Sequence, residues 1–223
     1  MFYIAPAKNK IYGEYYPATI KKQNPDTASR AFQLIDYIKQ NSDVQVVCPY
    51  ERLIREKEKG ELLYYKNDTH WNELGSYIGY QELCRVLGIE PMEVSEYEVV
   101  KKEVGDQTNL FPEGTHKDYE TTYRIPKIEQ SYSQTQIADG LNNNKTIVTK
   151  NKGKNLNAVV FRDSFSNAWI RYISNSFANV TYFWRQFIQN SDYELLSQSD
   201  IVILEICERN LPSLAVLHFP TFD

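Results

Sequence analysis

Short apolar runs punctuate this chain at Phe2 to Pro6, Val44 to Cys48, Ala158 to Phe161, Val180 to Trp184 and Ile201 to Ile206. Each reads as a strand, and Val44 to Cys48 and Ala158 to Phe161 have the continuous apolar character of a strand buried in a parallel sheet. Between them, apolar residues recur at helical spacing. One stripe is Ala31, Phe32, Leu34, Ile35 and Ile38; a second is Leu74, Tyr77, Ile78, Cys84 and Leu87; a third is Trp169, Ile170, Ile173 and Phe177. Asp26 or Thr27 is placed to cap the first helix, and Asn41-Ser42-Asp43 to end it. Asn72 caps the second and Gly88 stops it. Leu53 to Lys59 reads as a charged surface helix stopped by Gly60, Leu62 to Tyr65 as a strand, and Tyr193 to Leu196 as a short helix. This alternation predicts an α/β three-layer sandwich with a mainly parallel central sheet.

The pattern fails in two places. Lys8 to Asn24 is irregular and tyrosine-rich, and from Ile89 to about Lys145 the sequence turns acidic and rich in Tyr, Glu, Gln and Asn. That stretch offers a strand candidate at Tyr123 to Ile125 and turn signals at Gly105-Asp106 and Asn142-Asn143-Asn144. An irregular insertion of such length in a compact domain is usually functional, so residues 89–145 are read as a substrate-side flap. Regularity resumes with Thr146 to Thr149 and a turn at Asn151-Lys152-Gly153-Lys154. With 223 residues, 42% of them hydrophobic, and no internal repeat, the expectation is one domain over residues 1–223.

A formal net charge of -4 without any Lys/Arg block argues against a nucleic-acid partner. No apolar run approaches the roughly 20 residues of a membrane span, and Met1 to Pro6 is too short for a signal h-region. Cys48, Cys84 and Cys207 are odd in number and scattered, which suits buried thiols better than a disulfide framework or a zinc site. No metal or other cofactor is expected. His116 and His218 are read as surface residues.

The chemistry concentrates at Asp68-Thr69-His70-Trp71-Asn72. In an extended segment Asp68 and His70 share a face, so the carboxylate can hold one imidazole nitrogen while the other meets a reacting hydroxyl. The helix start that follows favours the neutral imidazole. An isolated Asp-x-His also fits a hydrogen-bonded pair leading into a helix, or half of a metal site. Ser164 follows a buried strand and opens a helix, a nucleophile's place at the carboxyl end of a sheet. The backbone N–H groups of Ser164 and Phe165 are expected among the unpaired donors there, available to an oxyanion. Ser164, His70 and Asp68 then form a triad in the order Asp, His, Ser. Asn167 and Arg185 are candidates for a further oxyanion donor, and Trp71 and Trp184 for aromatic site walls. Asp163 is read as a cap for the helix after it, and Glu205, Glu208 and Arg209 as ion pairing at a strand end, with substrate binding as the alternative.

Asp68-Thr69-His70-Trp71-Asn72 with Gly75, Arg162-Asp163-Ser164-Phe165, and Glu205-Ile206-Cys207-Glu208-Arg209-Asn210-Leu211 together resemble the AlgJ/AlgX group of polysaccharide O-acetyltransferases. These are SGNH-hydrolase-like proteins, also described by an Asp-His-His-Trp-like signature. The resemblance runs from about Phe2 to Leu211. It implies transfer of an acetyl group, through a serine acyl-enzyme, to a hydroxyl of a secreted or cell-wall polysaccharide such as alginate. It also implies an extracytoplasmic or cell-envelope location, an acetyl donor, and a membrane-embedded partner that delivers the acetyl group. The family's serine block often begins with Gly, whereas Arg162 and Asp163 precede Ser164 here. Family members usually carry an N-terminal anchor, and with a first strand at Phe2 this chain is expected to be a fragment without it. A carbohydrate acetyl esterase, with water as acceptor, fits the same triad. A non-catalytic glycan-binding or scaffold component of a polysaccharide-export machinery is the reading from outside enzymes, and an intact Ser164 and His70 speak against it.

Overall fold

The apolar runs become strands where both faces of a sheet are covered. A computed structural model describes residues 1–19, 29–94, 98–103, 105, 119–125, 128–138 and 145–216. In chain order the elements are β1 (Phe2–Ala5), α1 (Lys8–Ile11), α2 (Arg30–Asn41), β2 (Val46–Val47), α3 (Tyr50–Glu58), α4 (Glu73–Leu87), β3 (Glu98–Glu103) and β4 (Tyr119–Arg124). They continue with β5 (Ser133–Ala138), β6 (Lys145–Lys150), β7 (Asn157–Phe161), α5 (Ile170–Ser176), β8 (Asn179–Phe183), α6 (Tyr193–Ser197) and β9 (Ile201–Cys207). Short 3-10 turns include Ser164–Trp169 and Glu208–Val216. The chain forms two compact units: residues 1–5, 28–48 and 129–223, and residues 6–27 and 49–128.

The first unit holds a seven-stranded sheet in the order β2-β1-β9-β7-β8-β6-β5. From β2 to β8 the strands are parallel; β6 and β5 join antiparallel at one edge. The central strands read as unbroken apolar runs because neither face meets water: Tyr3, Ile4, Val159, Val160, Phe161, Ile203 and Ile206 are fully buried. Successive side chains of β1 leave by opposite faces. Phe2 and Ile4 pack with Ala31 and Ile35 of α2, Ile206 and Leu211. Tyr3 meets Trp169 edge-on, with ring centroids 4.4 Å apart. In this mainly parallel α/β sheet, Ser164 follows directly on β7, a central strand.

The second unit is built on α4, whose residues Leu74 to Tyr80 are all buried. A helix segment enclosed on all sides needs no polar face, which explains why the stripe is broad in this first half, while Arg85 in the second half is exposed. Asn72 caps it, its side-chain oxygen accepting the Gly75 N–H at 2.9 Å, and Gly88 ends it in the left-handed conformation at φ 68°. Gly60, at φ 95°, follows the last turn of α3. β3 and β4 form a separate antiparallel pair, with Glu98 opposite Arg124 and Glu103 opposite Tyr119.

Several expectations need correction. Val44 to Cys48 yields only the two-residue edge strand β2, and Val44 is 47% exposed, because an outer strand has one partner to satisfy. Leu62 to Tyr65 is not a strand; a single bridge joins Tyr64 to Trp71. Lys8 to Ile11 is helical. Residues 89–145 contribute β3, β4 and β5, and β5 completes the main sheet. The alternating pattern failed there because β5 is exposed along its whole length and so carries no apolar face. Ser29 caps α2, accepting the Phe32 N–H at 3.3 Å. Asp26, Thr27, Asp106, Asn142 to Asn144, His116 and His218 lie outside the described residues.

Cys84 and Cys207 are buried free thiols, while Cys48 is half-buried. Burial pushes the Cys84 thiol up to about 11 and that of Cys207 up to about 12. Only the thiolate reacts with alkylating reagents, and at pH 8 it amounts to about a thousandth of Cys84 and less of Cys207. Mass spectrometry after brief iodoacetamide treatment at pH 8 should find both unmodified in the native protein and modified after denaturation.

Candidate active site

The Asp68–His70 segment lies in the second unit and is a tight turn instead of an extended strand. The Tyr65 N–H donates to the His70 carbonyl at 3.2 Å and the Asn72 N–H to the Leu63 carbonyl at 2.9 Å, closing a hairpin whose tip holds residues 66 to 69. Within it Asp68 Oδ1 accepts the His70 backbone N–H at 2.8 Å and lies 2.7 Å from His70 Nδ1. The expected acid–imidazole contact forms, but by an Asx-type turn in which one oxygen serves both groups. With its proton on Nδ1, directed at the carboxylate, His70 carries its lone pair on Nε2.

The surroundings of the turn explain its neighbouring residues. Lys8 Nζ donates to the carbonyls of Lys66 at 2.6 Å and Asp68 at 3.0 Å. The Tyr64 hydroxyl donates to the Pro6 carbonyl at 2.7 Å. Asn72 has no exposure and also donates to the Leu62 carbonyl, so one amide both starts α4 and fixes the strand-like segment before the turn. At Gly75 an added Cβ would stand 2.2 Å from the Leu63 carbonyl oxygen. Helix and turn backbones approach too closely there for any side chain. Trp71 is 2% exposed, which makes it core and removes it as a site wall.

Ser164 lies in the first unit, where β7 gives way to a 3-10 turn. It is half-buried. Asp163 Oδ1 accepts the Phe165 N–H at 2.9 Å, while Oδ2 accepts the Cys207 N–H at 2.8 Å and the Asn210 amide at 2.9 Å. Asp163 is thus a cap, as expected, and also a bond to the end of β9. The Phe165 N–H, expected to be unpaired, is occupied by this cap. Asn167 is exposed, and its side-chain oxygen accepts Arg162 Nη1 at 2.7 Å. The Arg162 guanidinium lies 4.4 Å from the Trp184 ring, so Trp184, half-buried, is the platform of a cation. Burial lowers the Arg162 pKa, opposed by Glu205, Tyr182 and Asp163. Arg185 makes a bidentate pair with Asp192, at 2.7 and 2.8 Å, and donates to the Phe187 carbonyl. It holds the loop after β8 in place.

Glu205 makes bonds other than the ion pairing expected of it, and the bond of Asn210 to Asp163 carried no signal in the sequence. Glu205 has no exposure; its Oε2 accepts the Asp163 N–H at 3.1 Å and the Ser166 hydroxyl at 2.6 Å. Burial, and then the Asp163 charge, raise its pKa well above the ordinary carboxylate value. Among the described residues it makes no ion pair at the strand end. The signal was available: a carboxylate inside the apolar run Ile203 to Cys207 must be hydrogen-bonded to something specific.

Residues 1–152 match the profile of a family described as SGNH hydrolase-like domain, acetyltransferase AlgX; the match takes in Asp68 to Asn72 and ends before Ser164. Among solved structures the chain is similar to a DHHW family protein from Eubacterium siraeum, at 19% identity and TM-score 0.72 over 94% of this chain and 77% of that one. It is also similar to Bacillus cereus PatB1, at 18% identity and TM-score 0.70 over 94% and 82% of the two chains. The O-acetyltransferase domain of Pseudomonas putida AlgJ matches at 18% identity and TM-score 0.55 over 100% and 78%. No curated protein matches the sequence. At these identities the structural likenesses establish the fold, an SGNH-like α/β fold.

Gly75→Ala should lower stability by about 1–3 kcal/mol, since the new methyl meets a backbone carbonyl that cannot rotate away. Gly13→Ala is the control, with nothing within 4 Å of its added Cβ. Thermal melts of both variants should show a clear loss for the first and little change for the second.

Proposed function

The chain belongs to the family of SGNH hydrolase-like domains of the acetyltransferase AlgX type, and from that premise we propose that it passes an acetyl group through an acyl-enzyme on Ser164 to a hydroxyl of a polysaccharide. The observation that carries the reading is the 2.7 Å contact of Asp68 Oδ1 with His70 Nδ1, which favours the tautomer a general base needs. In the proposed cycle His70 Nε2 takes the proton of Ser164 Oγ as that oxygen attacks the acetyl carbonyl. The tetrahedral intermediate collapses to acetyl-Ser164, and the imidazolium returns the proton to the departing donor oxygen. A sugar hydroxyl then attacks the acetyl carbonyl, giving its proton to His70, and the imidazolium passes that proton to the departing Ser164 Oγ, so that the serine hydroxyl and the neutral imidazole are both regenerated. Asp68 keeps the imidazole oriented and stabilises its charged form.

The family's association with extracytoplasmic polysaccharide modification supports a secreted or cell-wall glycan as acceptor. No helix among the described residues is long and apolar enough to cross a membrane. A membrane-embedded protein that supplies the acetyl group is the partner this reading calls for.

Ser164→Ala should fold normally and lose turnover of a small chromogenic acetyl ester by several orders of magnitude. Unchanged turnover would remove Ser164 as nucleophile. Asp68→Asn keeps an oxygen for the turn but loses the charge, and should cost on the order of 10² to 10⁴ in rate with little change in melting temperature. A purely structural Asp68 would instead cost about 0.5–2 kcal/mol of stability and leave the rate per folded molecule alone.

Transfer and hydrolysis separate when the acetyl donor is supplied with and without oligosaccharides, because an acyl-enzyme partitions toward the acceptor that its site aligns. Acetylated oligosaccharide is the expected product. Acetate release alone, with every glycan left unmodified, would make the protein an acetyl esterase toward those acceptors.

A further inference from the structure

Glu205 has no part in the chemistry proposed above, yet it occupies an expensive position. It lies in β9, opposite Tyr3 of β1, with Ile203 and Cys207 buried on either side along its own strand. A carboxyl there costs far more than an apolar residue of similar volume unless its oxygens are used. One is used twice and the other is buried without a hydrogen-bond partner among the described residues. Such a half-satisfied group gives no good account as a stabilising element. What distinguishes it is where its two bonds go. The Asp163 N–H immediately precedes Ser164 in the chain, and the Ser166 hydroxyl follows two residues later.

We infer that Glu205 is a positioning residue for Ser164, clamping the strand-to-helix turn on both sides of the nucleophile so that its hydroxyl keeps one orientation. The inference rests on the reading of Ser164 as nucleophile. Asp163 supplies the complementary restraint, tying the same turn to the Cys207 N–H and to Asn210. Both restraints originate at the carboxyl end of β9, so this strand end acts as the jig for the turn. A clamp of this kind needs an oxygen that accepts two hydrogen bonds, and it does not need a charge. The raised pKa, caused first by burial and then by the Asp163 carboxylate, favours the neutral acid. Gln supplies an amide oxygen of the same reach, whereas Leu supplies none and leaves the Asp163 N–H and Ser166 hydroxyl buried without an acceptor.

The test uses the full chain and the variants Glu205→Leu, Glu205→Gln and Ser166→Ala. Each is measured for melting temperature, for kcat and KM on the chromogenic acetyl ester, and for the rate at which a sulfonyl fluoride labels Ser164. Glu205→Leu should lower kcat and labelling on the order of 10²-fold with KM within about twofold, the effect of misplacing a reacting group by roughly 1 Å. Glu205→Gln should restore both rates to within about threefold of wild type, and Ser166→Ala, which loses one arm, should cost about tenfold. A folded Glu205→Leu protein that turns over and is labelled at wild-type rates overturns the inference, as does a Gln variant as impaired as Leu. If Glu205→Leu does not fold, Ser166→Ala decides, and wild-type kcat in that variant overturns the clamp. Failure of the parent reading has a separate signature, in which Ser164→Ala retains turnover and wild-type Ser164 resists labelling.

Discussion

The carboxylate of Asp163 is the junction on which the carboxyl end of the first unit's parallel strands depends. Three donors from different places converge on it: the Phe165 N–H of the turn it opens, the Cys207 N–H of β9, and the Asn210 amide beyond that strand. Hydrogen bonds to an ionised acceptor are about twice as strong as neutral ones, and losing the acceptor would strand three buried or half-buried donors together. Parallel strands β7 and β9 lie side by side in the sheet, so a residue just past the end of one is within reach of the other's end. That adjacency makes so sharp a turn after β7 affordable, and Ser164 sits at its start.

The second unit uses the same device on a smaller scale. Asp68 satisfies a backbone donor of its own turn and an imidazole nitrogen with one oxygen, and Asn72 joins the turn to the helix that follows. Each is a short polar side chain answering backbone groups that no ladder or helix can pair. The two turns are thereby mounted on stiff supports, a central strand in one unit and a helix with a buried first half in the other.

Where a segment is buried on one or two faces, its pattern was readable in advance. The stripe of α4, its cap at Asn72 and its left-handed end at Gly88 all appear where spacing put them. The runs at Ala158, Val180 and Ile201 became β7, β8 and β9. β5 and β3 were not readable, because Ser-Gln-Thr-Gln-Ile-Ala and Glu-Val-Val-Lys-Lys-Glu carry little contrast between faces. Pairing with a neighbour, a non-local event, is what makes strands of them.

At the candidate residues the division is sharper. The residues themselves, Asp68 with His70 and Ser164 after a buried strand, follow from local spacing and from the boundary between a run and a stripe. The bonds those residues make do not. Spacing gave an extended Asp-x-His, and the folded chain forms the same contact with a turn. It gave an unpaired Phe165 N–H, and Asp163 occupies it. Trp71 looked like a site wall and lies in the core, while Glu205 looked like part of an ion pair at a strand end and instead bonds to Asp163 and Ser166 on either side of Ser164. Local sequence determines which periodicity a segment carries and which short polar residues can cap it, since those interactions span only a few residues. Which donor meets which acceptor across 42 residues, as between Asp163 and Glu205, depends on strand order, and only the tertiary structure decides that.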